Sequence, residues 1–167
     1  MSVVINGTGS ISGLSNVGGI DLPQSGSVLQ VVSASSNPNL YTTSTTFQAS
    51  STSLAITPKY STSKILVLIS NGVFYQSGAA DEAWASIFRQ IGAGSFTNIS
   101  PDGTNGIMNI SAYASGNAER NPFSLMILDA PATTSAVTYK LYGKSKNGGS
   151  AGFGGDSVVT TLMEIAA

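Results

Sequence analysis

The sequence has no cysteine and no histidine among its 167 residues. Without cysteine there is no disulfide framework and no thiolate chemistry. Without histidine the chain lacks the commonest general base and the commonest metal ligand. These absences predict a protein with no catalytic site, no metal site and no cofactor.

Charged side chains are also scarce. Lys and Arg total 7 and Asp and Glu total 8, which is 9% of the chain against about 25% in an average protein. The net charge of −1, with no basic cluster, argues against a nucleic-acid partner, because phosphate neutralisation dominates such binding. The length suits a single domain that buries about 68–70% of its surface.

Long hydrophobic runs are absent as well. The longest, Ile65 to Ile69, is far short of the ~20 residues that span a bilayer. The first residues, Met1 to Asn6, have no basic region and only three consecutive apolar side chains, which does not match a signal peptide. We therefore expect no membrane insertion.

Residues 1–26 differ from the rest in being rich in Gly, Ser and Asn. Their apolar residues are too sparse to form a core, which leaves a flexible tail or an extended arm that docks on another subunit. The regular scatter of β-branched residues favours the arm. The predicted attachment residues are Val3, Val4, Ile5, Ile11, Leu14 and Ile20.

Residues 27–167 contain short segments rich in β-branched and aromatic residues between turn formers, a pattern typical of strands. Their spacing predicts an all-β sandwich or barrel, with tight turns at Asn71-Gly72, Asp102-Gly103, Asn105-Gly106 and Asn147-Gly148. The predicted strands are 27–33, 41–48, 53–57, 64–70, 73–76, 122–129, 136–142 and 157–165.

Two of these segments indicate their place in the fold. Residues 64–70 are apolar on both faces, which predicts a central strand covered on each side. In residues 136–142, Val137, Tyr139 and Leu141 face one side, and the other, solvated or interfacial side carries Thr138, Lys140 and Tyr142. That alternation predicts a strand with one buried face.

Residues 79–91 fit two structures. Ala80, Ala83, Trp84, Ile87, Phe88 and Ile91 recur at helical spacing. A strand would place Ala83, Ala85, Ile87 and Ile91 on one face with Arg89, and Trp84 and Phe88 on the other. We predict a strand, because a lone helix is less consistent with the strands around it.

The carboxylates are the remaining candidates for chemistry. They are Asp21, Asp81, Glu82, Asp102, Glu119, Asp129, Asp156 and Glu164. Asp81 and Glu82 would face opposite sides of a strand, and turn or strand-end positions explain Asp102 and Asp129. The sequence predicts no enzyme, while a polysaccharide depolymerase with a carboxylate pair stays open as a remote alternative.

Binding surfaces are the other option. Phe74, Tyr75, Trp84 and Phe88 could stack on sugars, or they could lie in the core or at a subunit interface. The stretch 92–121, rich in Ser, Asn and Gly, is typical of surface loops, where recognition residues concentrate.

Five segments together resemble a family of small phage proteins, abundant in marine cyanophage genomes, that are tail-fibre-like or structural components of the virion. The segments are Ile5-Asn6-Gly7-Thr8-Gly9-Ser10-Ile11-Ser12-Gly13, Gly26-Ser27-Val28-Leu29-Gln30-Val31-Val32, Ser63-Lys64-Ile65-Leu66-Val67, Leu128-Asp129-Ala130-Pro131 leading to Thr138-Tyr139-Lys140, and Leu162-Met163-Glu164-Ile165-Ala166.

The resemblance implies a jelly-roll-like β-sandwich over 27–167, homotrimeric and displayed on the virion, with no catalytic or metal residues. A 1–26 arm in place of a large tail-docking domain favours a short fibre, spike or capsid decoration protein. The implied partners are further copies of the chain, other capsid or tail proteins, and a host surface glycan or protein.

Overall fold

A computed structural model describes residues 16–17, 20–21, 24–77, 81–112, 118–154 and 157–167. These residues form thirteen strands and no helix. The strands are β1 (Asn16–Val17), β2 (Ile20–Asp21), β3 (Val28–Ser36), β4 (Leu40–Thr42), β5 (Gln48–Ile56), β6 (Lys64–Ser77), β7 (Asp81–Ile91), β8 (Thr97–Asn98), β9 (Met108–Ala112), β10 (Ala118–Asp129), β11 (Val137–Ser145), β12 (Ser150–Phe153) and β13 (Val158–Ile165).

The first large sheet is built around β6. Strand β10 pairs with the whole length of one edge of β6. The other edge pairs with β13 near the start of β6 and with β12 near its end. Strand β3 continues the sheet beyond β13, and β4 continues it beyond β12. The apolar segment 64–70 is therefore central, as its sequence predicts.

The second large sheet has β11 at its centre, between β5 and β7. The far edge of β7 pairs with the short strands β8 and β9. All pairings in both sheets are antiparallel. Along the chain, β3, β5, β6 and β7 alternate between the sheets. The strands lie side by side in the orders β3-β13-β6-β10 and β5-β11-β7-β9.

The inner faces of the two sheets meet in one apolar core, which confirms an all-β sandwich. Alternate residues of β11 and β13 are buried, as expected for strands with one face in a core. Each large side chain buried there contributes about 1.5–3 kcal/mol. The largest apolar members are Ile65, Ile69, Phe74, Ile87, Leu125, Tyr139, Leu141, Phe153 and Leu162.

Residues 81–91 form a strand, as predicted, and residues 79–80 lie outside the described part. Ala83, Ala85 and Ile87 are fully buried on the inner face. Trp84 and Phe88 are half-buried on the outer face. Tertiary pairing with β11 on one side and β9 on the other overrides the helical period of this segment.

The predicted turn at Asn71-Gly72 is wrong. These residues lie inside the continuous strand β6, opposite a register shift between Phe123 and Leu125 of β10. Asn71 has a φ of 66°. Every second residue is buried up to Ile69, but the next buried residue is Gly72, three positions further on. The segment is therefore a β-bulge, in which one extra residue reverses the alternation without ending the strand.

Other predicted boundaries also need correction. Residues 43–47 of the predicted strand 41–48 lie between β4 and β5, and the strand predicted at 53–57 begins earlier, at Gln48. The stretch 92–121 contains β8, β9 and the start of β10. The glycine-rich segment after Asn147 contains β12, because Gly152 has no Cβ to collide with the backbone of Leu40.

Two of the remaining predicted turns hold and one does not. Gly103 and Gly148 have positive φ angles of 67° and 96°. Gly106 has no such angle. Glycine is needed at position 106 for another reason: the Ala85 carbonyl approaches so closely that a Cβ atom would not fit.

Candidate functional surfaces

Asp81 is a buried carboxylate at the start of β7 that organises the turn between β11 and β12. Its Oδ2 accepts hydrogen bonds from the Ser145 hydroxyl at 2.7 Å and from the Gly149 amide. Its Oδ1 accepts from the amides of Glu82 and Asn147, at 2.7 and 2.9 Å. Burial raises the pKa of Asp81, but these hydrogen bonds outweigh it and hold the pKa below its ordinary value.

Asp129, at the end of β10, connects the two sheets. Its Oδ1 lies 2.8 Å from Nη1 of Arg89, and its Oδ2 accepts a 2.7 Å hydrogen bond from the Tyr139 hydroxyl. Arg89 and Tyr139 are opposite each other in the second sheet. Burial, followed by the Asp129 charge, raises the pKa of Tyr139 well above its ordinary value. The hydroxyl is therefore a fixed donor.

Glu164 of β13 is fully buried. It accepts hydrogen bonds from the Gln30 amide group at 2.6 Å and from the backbone amides of Lys59 and Tyr60 at 2.7 and 3.3 Å. Burial raises its pKa, but the hydrogen bonds lower it further, so the net shift is downward. Glu164 thus ties β3 and the loop before β6 to β13.

Two of the other carboxylates have local partners. Asp102 accepts from the amides of Thr104 and Asn105 in its turn, and Glu82 pairs with Lys146 at 2.7 Å. In the described part of the chain, no group of three or more Asp and Glu residues could hold a metal ion. Each of the three buried carboxylates, Asp81, Asp129 and Glu164, therefore has partners within the fold.

The outer face of the first sheet is apolar along four adjacent strands. Val31, Met163, Leu66 and Leu128 stand opposite one another in a continuous row across β3, β13, β6 and β10. We call the set Val28, Val31, Leu66, Leu68, Met126, Leu128, Met163 and Ile165 the apolar face.

Large parts of the apolar face are open in the single chain. Met126 is 63% exposed, Val28 56%, Val31 55% and Leu128 52%. The sequence predicts cover on both sides of β6, yet Leu66 and Leu68 are only half-buried. Scattered apolar residues are ordinary on a surface, whereas a contiguous patch marks an interaction site.

The outer face of the second sheet carries aromatic rings and lysines. Phe88 and Tyr142 stack with their ring centroids 3.9 Å apart. Phe96, from the loop after β7, lies 6.0 Å from Tyr142. The Lys144 ammonium lies 5.9 Å from the Trp84 ring. We call the set Trp84, Phe88, Phe96, Lys140, Tyr142 and Lys144 the aromatic–lysine face.

The four aromatic residues selected from the sequence lie in three places. Phe74 is in the core, stacked on Phe153 at 4.8 Å. Tyr75 lies on the outer face of the first sheet, against Tyr41 and Arg120. Trp84 and Phe88 lie on the aromatic–lysine face. The sequence placed Lys140 and Tyr142 on the outer face of their strand, but neither Lys140 nor Lys144 was selected as a binding residue, although their spacing on a strand places both on one face.

No protein-family model matches the chain, and no curated protein matches it. Among solved structures, a chain in the structure of infectious bursal disease virus, Gt strain, aligns with a TM-score of 0.34 and 17% identity. The alignment covers 98% of this chain and 43% of the viral chain.

The predicted arm residues Val3, Val4, Ile5, Ile11 and Leu14 lie outside the described residues. The backbone of Ile20 is described, and it pairs with Val17 in the small β1–β2 sheet. At the end of the arm the chain joins the first sheet, where the Gly26 amide donates a 2.8 Å hydrogen bond to the Ala166 carbonyl, next to the end of β13. No helix in the described part is long and apolar enough to cross a membrane.

Proposed function

We propose that this chain is a non-enzymatic structural protein of a phage virion, a homotrimeric surface appendage attached through residues 1–26. The appendage is a short fibre, spike or capsid decoration. The observation that carries the proposal is the apolar face, which the other copies of a trimer would remove from water. The resemblance of five sequence segments to small phage virion proteins supports the same function.

The composition of the apolar face suits a contact between protein subunits. Its centre has no carboxylate, because Glu164 and Asp129 point inward. Ser33 and Thr161 adjoin it in the next row of the sheet. Subunit interfaces share this pattern of an uncharged apolar centre with a polar rim. The apolar rows extend only about 14 Å across the strands, so the rim must contribute to the ~800 Å² per subunit that a stable interface buries.

The strand order supports a jelly-roll domain. The sheets β3-β13-β6-β10 and β5-β11-β7-β9 place the first and last long strands side by side, as in two successive Greek keys. Jelly rolls are a common architecture of viral capsid domains. This order supports the jelly-roll fold only, since a fold alone does not establish a function.

Self-association is tested by the double variant Met126→Glu, Leu128→Glu. The wild type is expected to be a trimer in light scattering after size-exclusion chromatography. The double variant is expected to be a monomer, because two carboxylates would have to be desolvated in the interface. Ala55→Glu is the control, because Ala55 is an exposed strand residue on the second sheet. A monomeric wild type, or a trimeric double variant, would contradict the proposed interface.

Attachment is tested by deleting residues 2–24 from the protein in assembled particles. We expect the deleted protein to stay folded and trimeric but to be lost from purified virions. Because the β-domain has its own core, circular dichroism can show that folding is unaffected. Full retention of the shortened protein on particles would show that the arm is not the attachment segment.

The non-enzymatic part of the proposal rests on the carboxylates. Asp81, Asp129 and Glu164 are engaged by hydrogen bonds or an ion pair within the fold, whereas glycoside hydrolysis needs two carboxyl groups that reach a sugar. The purified protein is expected to release no reducing ends from host polysaccharide. Cleavage that is abolished by Asp129→Asn or Glu119→Gln would establish a depolymerase instead.

A second candidate function is recognition of a host surface glycan. The aromatic–lysine face favours it, because half-buried rings beside cations combine apolar area with charge. The two functions are compatible, since the apolar and aromatic–lysine faces lie on opposite sides of the sandwich.

A further inference from the structure

Strand β11 presents a row of lysines to one side of the protein. Lys140, Lys144 and Lys146 lie on β11 or directly after it, on the face opposite the core residues Tyr139 and Leu141. Three of the seven basic residues of the chain therefore lie in this row. In a protein with so few charges, that concentration distinguishes the second sheet from the first.

The three lysines differ in their partners. Lys146 is paired with Glu82 at 2.7 Å. Lys140 and Lys144 form no ion pair within the described residues. The Lys144 ammonium donates a 3.3 Å hydrogen bond to the Thr104 carbonyl and lies 4.7 Å from the Phe47 ring centroid. The Lys140 ammonium lies 5.7 Å from the ring centroid of Phe96. Two positive charges are thus held in place without a carboxylate partner.

The distance between these charges limits the ligand. Four residues along a strand separate the Cα atoms of Lys140 and Lys144 by about 13 Å, which is too far for one small anion to contact both. Tyr142 lies midway between them and stacks on Phe88. The surface therefore suits an extended molecule with an apolar ring face between two anionic groups.

We propose that the aromatic–lysine face binds an acidic oligosaccharide, with carboxylates of the sugar chain at Lys140 and Lys144 and a sugar ring against Tyr142. The inference deepens the second candidate function and does not depend on trimer formation. A monomeric variant carries the same surface.

Single-stranded nucleic acid fits the surface less well. Proteins that bind it present aromatic platforms on which bases stack, within a groove of many cations. Here only two lysines, Lys140 and Lys144, lack an ion pair within the described residues of this face, and the carboxylate of Glu82 lies in the same row of side chains. An acidic oligosaccharide needs only two cations and contact with one aromatic side chain.

The test measures binding of a short oligogalacturonate by the full chain. Trp84 is the only tryptophan, so its fluorescence reports on this face directly, and calorimetry gives the affinity. We expect saturable binding that weakens with added salt. Each of Lys140→Gln and Lys144→Gln should weaken it by roughly fivefold. Lys64→Gln, which removes an exposed strand lysine from the first sheet, should leave it unchanged.

Several outcomes would overturn the inference. They are no binding of oligogalacturonate, equal weakening by Lys64→Gln, or equal binding of an uncharged malto-oligosaccharide. Preferential binding of oligothymidylate would replace the sugar with nucleic acid. The Met126→Glu, Leu128→Glu variant separates the two proposals, because it should lose the trimer and still bind oligogalacturonate with unchanged intrinsic affinity.

Discussion

At the scale of single residues, the buried carboxylates hold distant segments of the chain together. Asp81 binds the turn that follows β11, Asp129 connects the sheets through Arg89, and Glu164 binds the loop before β6. A buried carboxylate is costly to desolvate unless hydrogen bonds satisfy it. The scarcity of charge in the sequence therefore does not make the remaining charges dispensable.

Asp81→Asn should destabilise the protein by about 2–3 kcal/mol. Both oxygens of Asp81 accept hydrogen bonds, so the NH₂ group of asparagine would face backbone amides or the Ser145 hydroxyl, which are donors themselves. Urea unfolding followed by circular dichroism measures the loss. Asp102→Asn is the control, since that carboxylate lies in an exposed turn and should cost less. Equal losses in the two variants would show that burial of Asp81 is not the cause.

Glu164 should contribute to the pH dependence of stability. Its folded pKa lies below the ordinary 4.5, so its stabilisation is present above that pH and is lost as the pH falls through the folded pKa. In Glu164→Gln, the free energy of unfolding should be lower at neutral pH and should fall less steeply in acid. Asp81 and Asp102 also have lowered pKa values, so some acid dependence should remain. If the free energy of unfolding fell with pH as steeply in Glu164→Gln as in the wild type, this role of Glu164 would be contradicted.

At the scale of elements, the bulge in β6 determines which side chains enter the core. Before it, Ile65, Val67 and Ile69 point inward, and after it Gly72 and Phe74 do. An Asn-Gly pair between apolar segments usually indicates a hairpin turn. Only the pairing of β10 along both halves of β6 shows that the strand continues.

Gly72→Ala should destabilise the protein by about 1–3 kcal/mol, because the added Cβ would overlap the Phe123 ring and a Val158 methyl group. Thermal unfolding measures this loss. Asn71→Gly, at the same bulge, should be nearly neutral, because glycine adopts the positive φ of that position without strain. A neutral Gly72→Ala would mean that the core around Phe123 can rearrange.

The second sheet shows how packing decides between two patterns in the sequence. Ala83 and Ala85 lie opposite Ser145 and Gly143 of β11, so small side chains face the core on both strands. The helical spacing of Ala80, Ala83, Trp84 and Ile87 carries no information about this pairing. The strand prediction is confirmed because neighbouring strands on both edges satisfy the backbone of β7.

At the scale of the whole molecule, an apolar face on one side of the sandwich couples stability to assembly. If copies associate through that face, association favours the folded state by mass action. The melting temperature of the wild type should therefore rise with protein concentration. The melting temperature of Met126→Glu, Leu128→Glu should not, as differential scanning calorimetry at several concentrations can show. If the melting temperature of the wild type did not depend on protein concentration, this would argue against an association linked to folding.

The sequence by itself determined the fold class and most of the strands. Strand alternation and turn formers depend on neighbouring residues, and residues 136–142 and 157–165 needed nothing more. It also indicated a central position for residues 64–70, through apolar side chains on both faces. What it could not determine depends on residues distant in the chain. The partners of Asp129, the continuation of β6 through Asn71, and the placing of Lys140 beside Phe96 arise only when the two sheets and their loops come together.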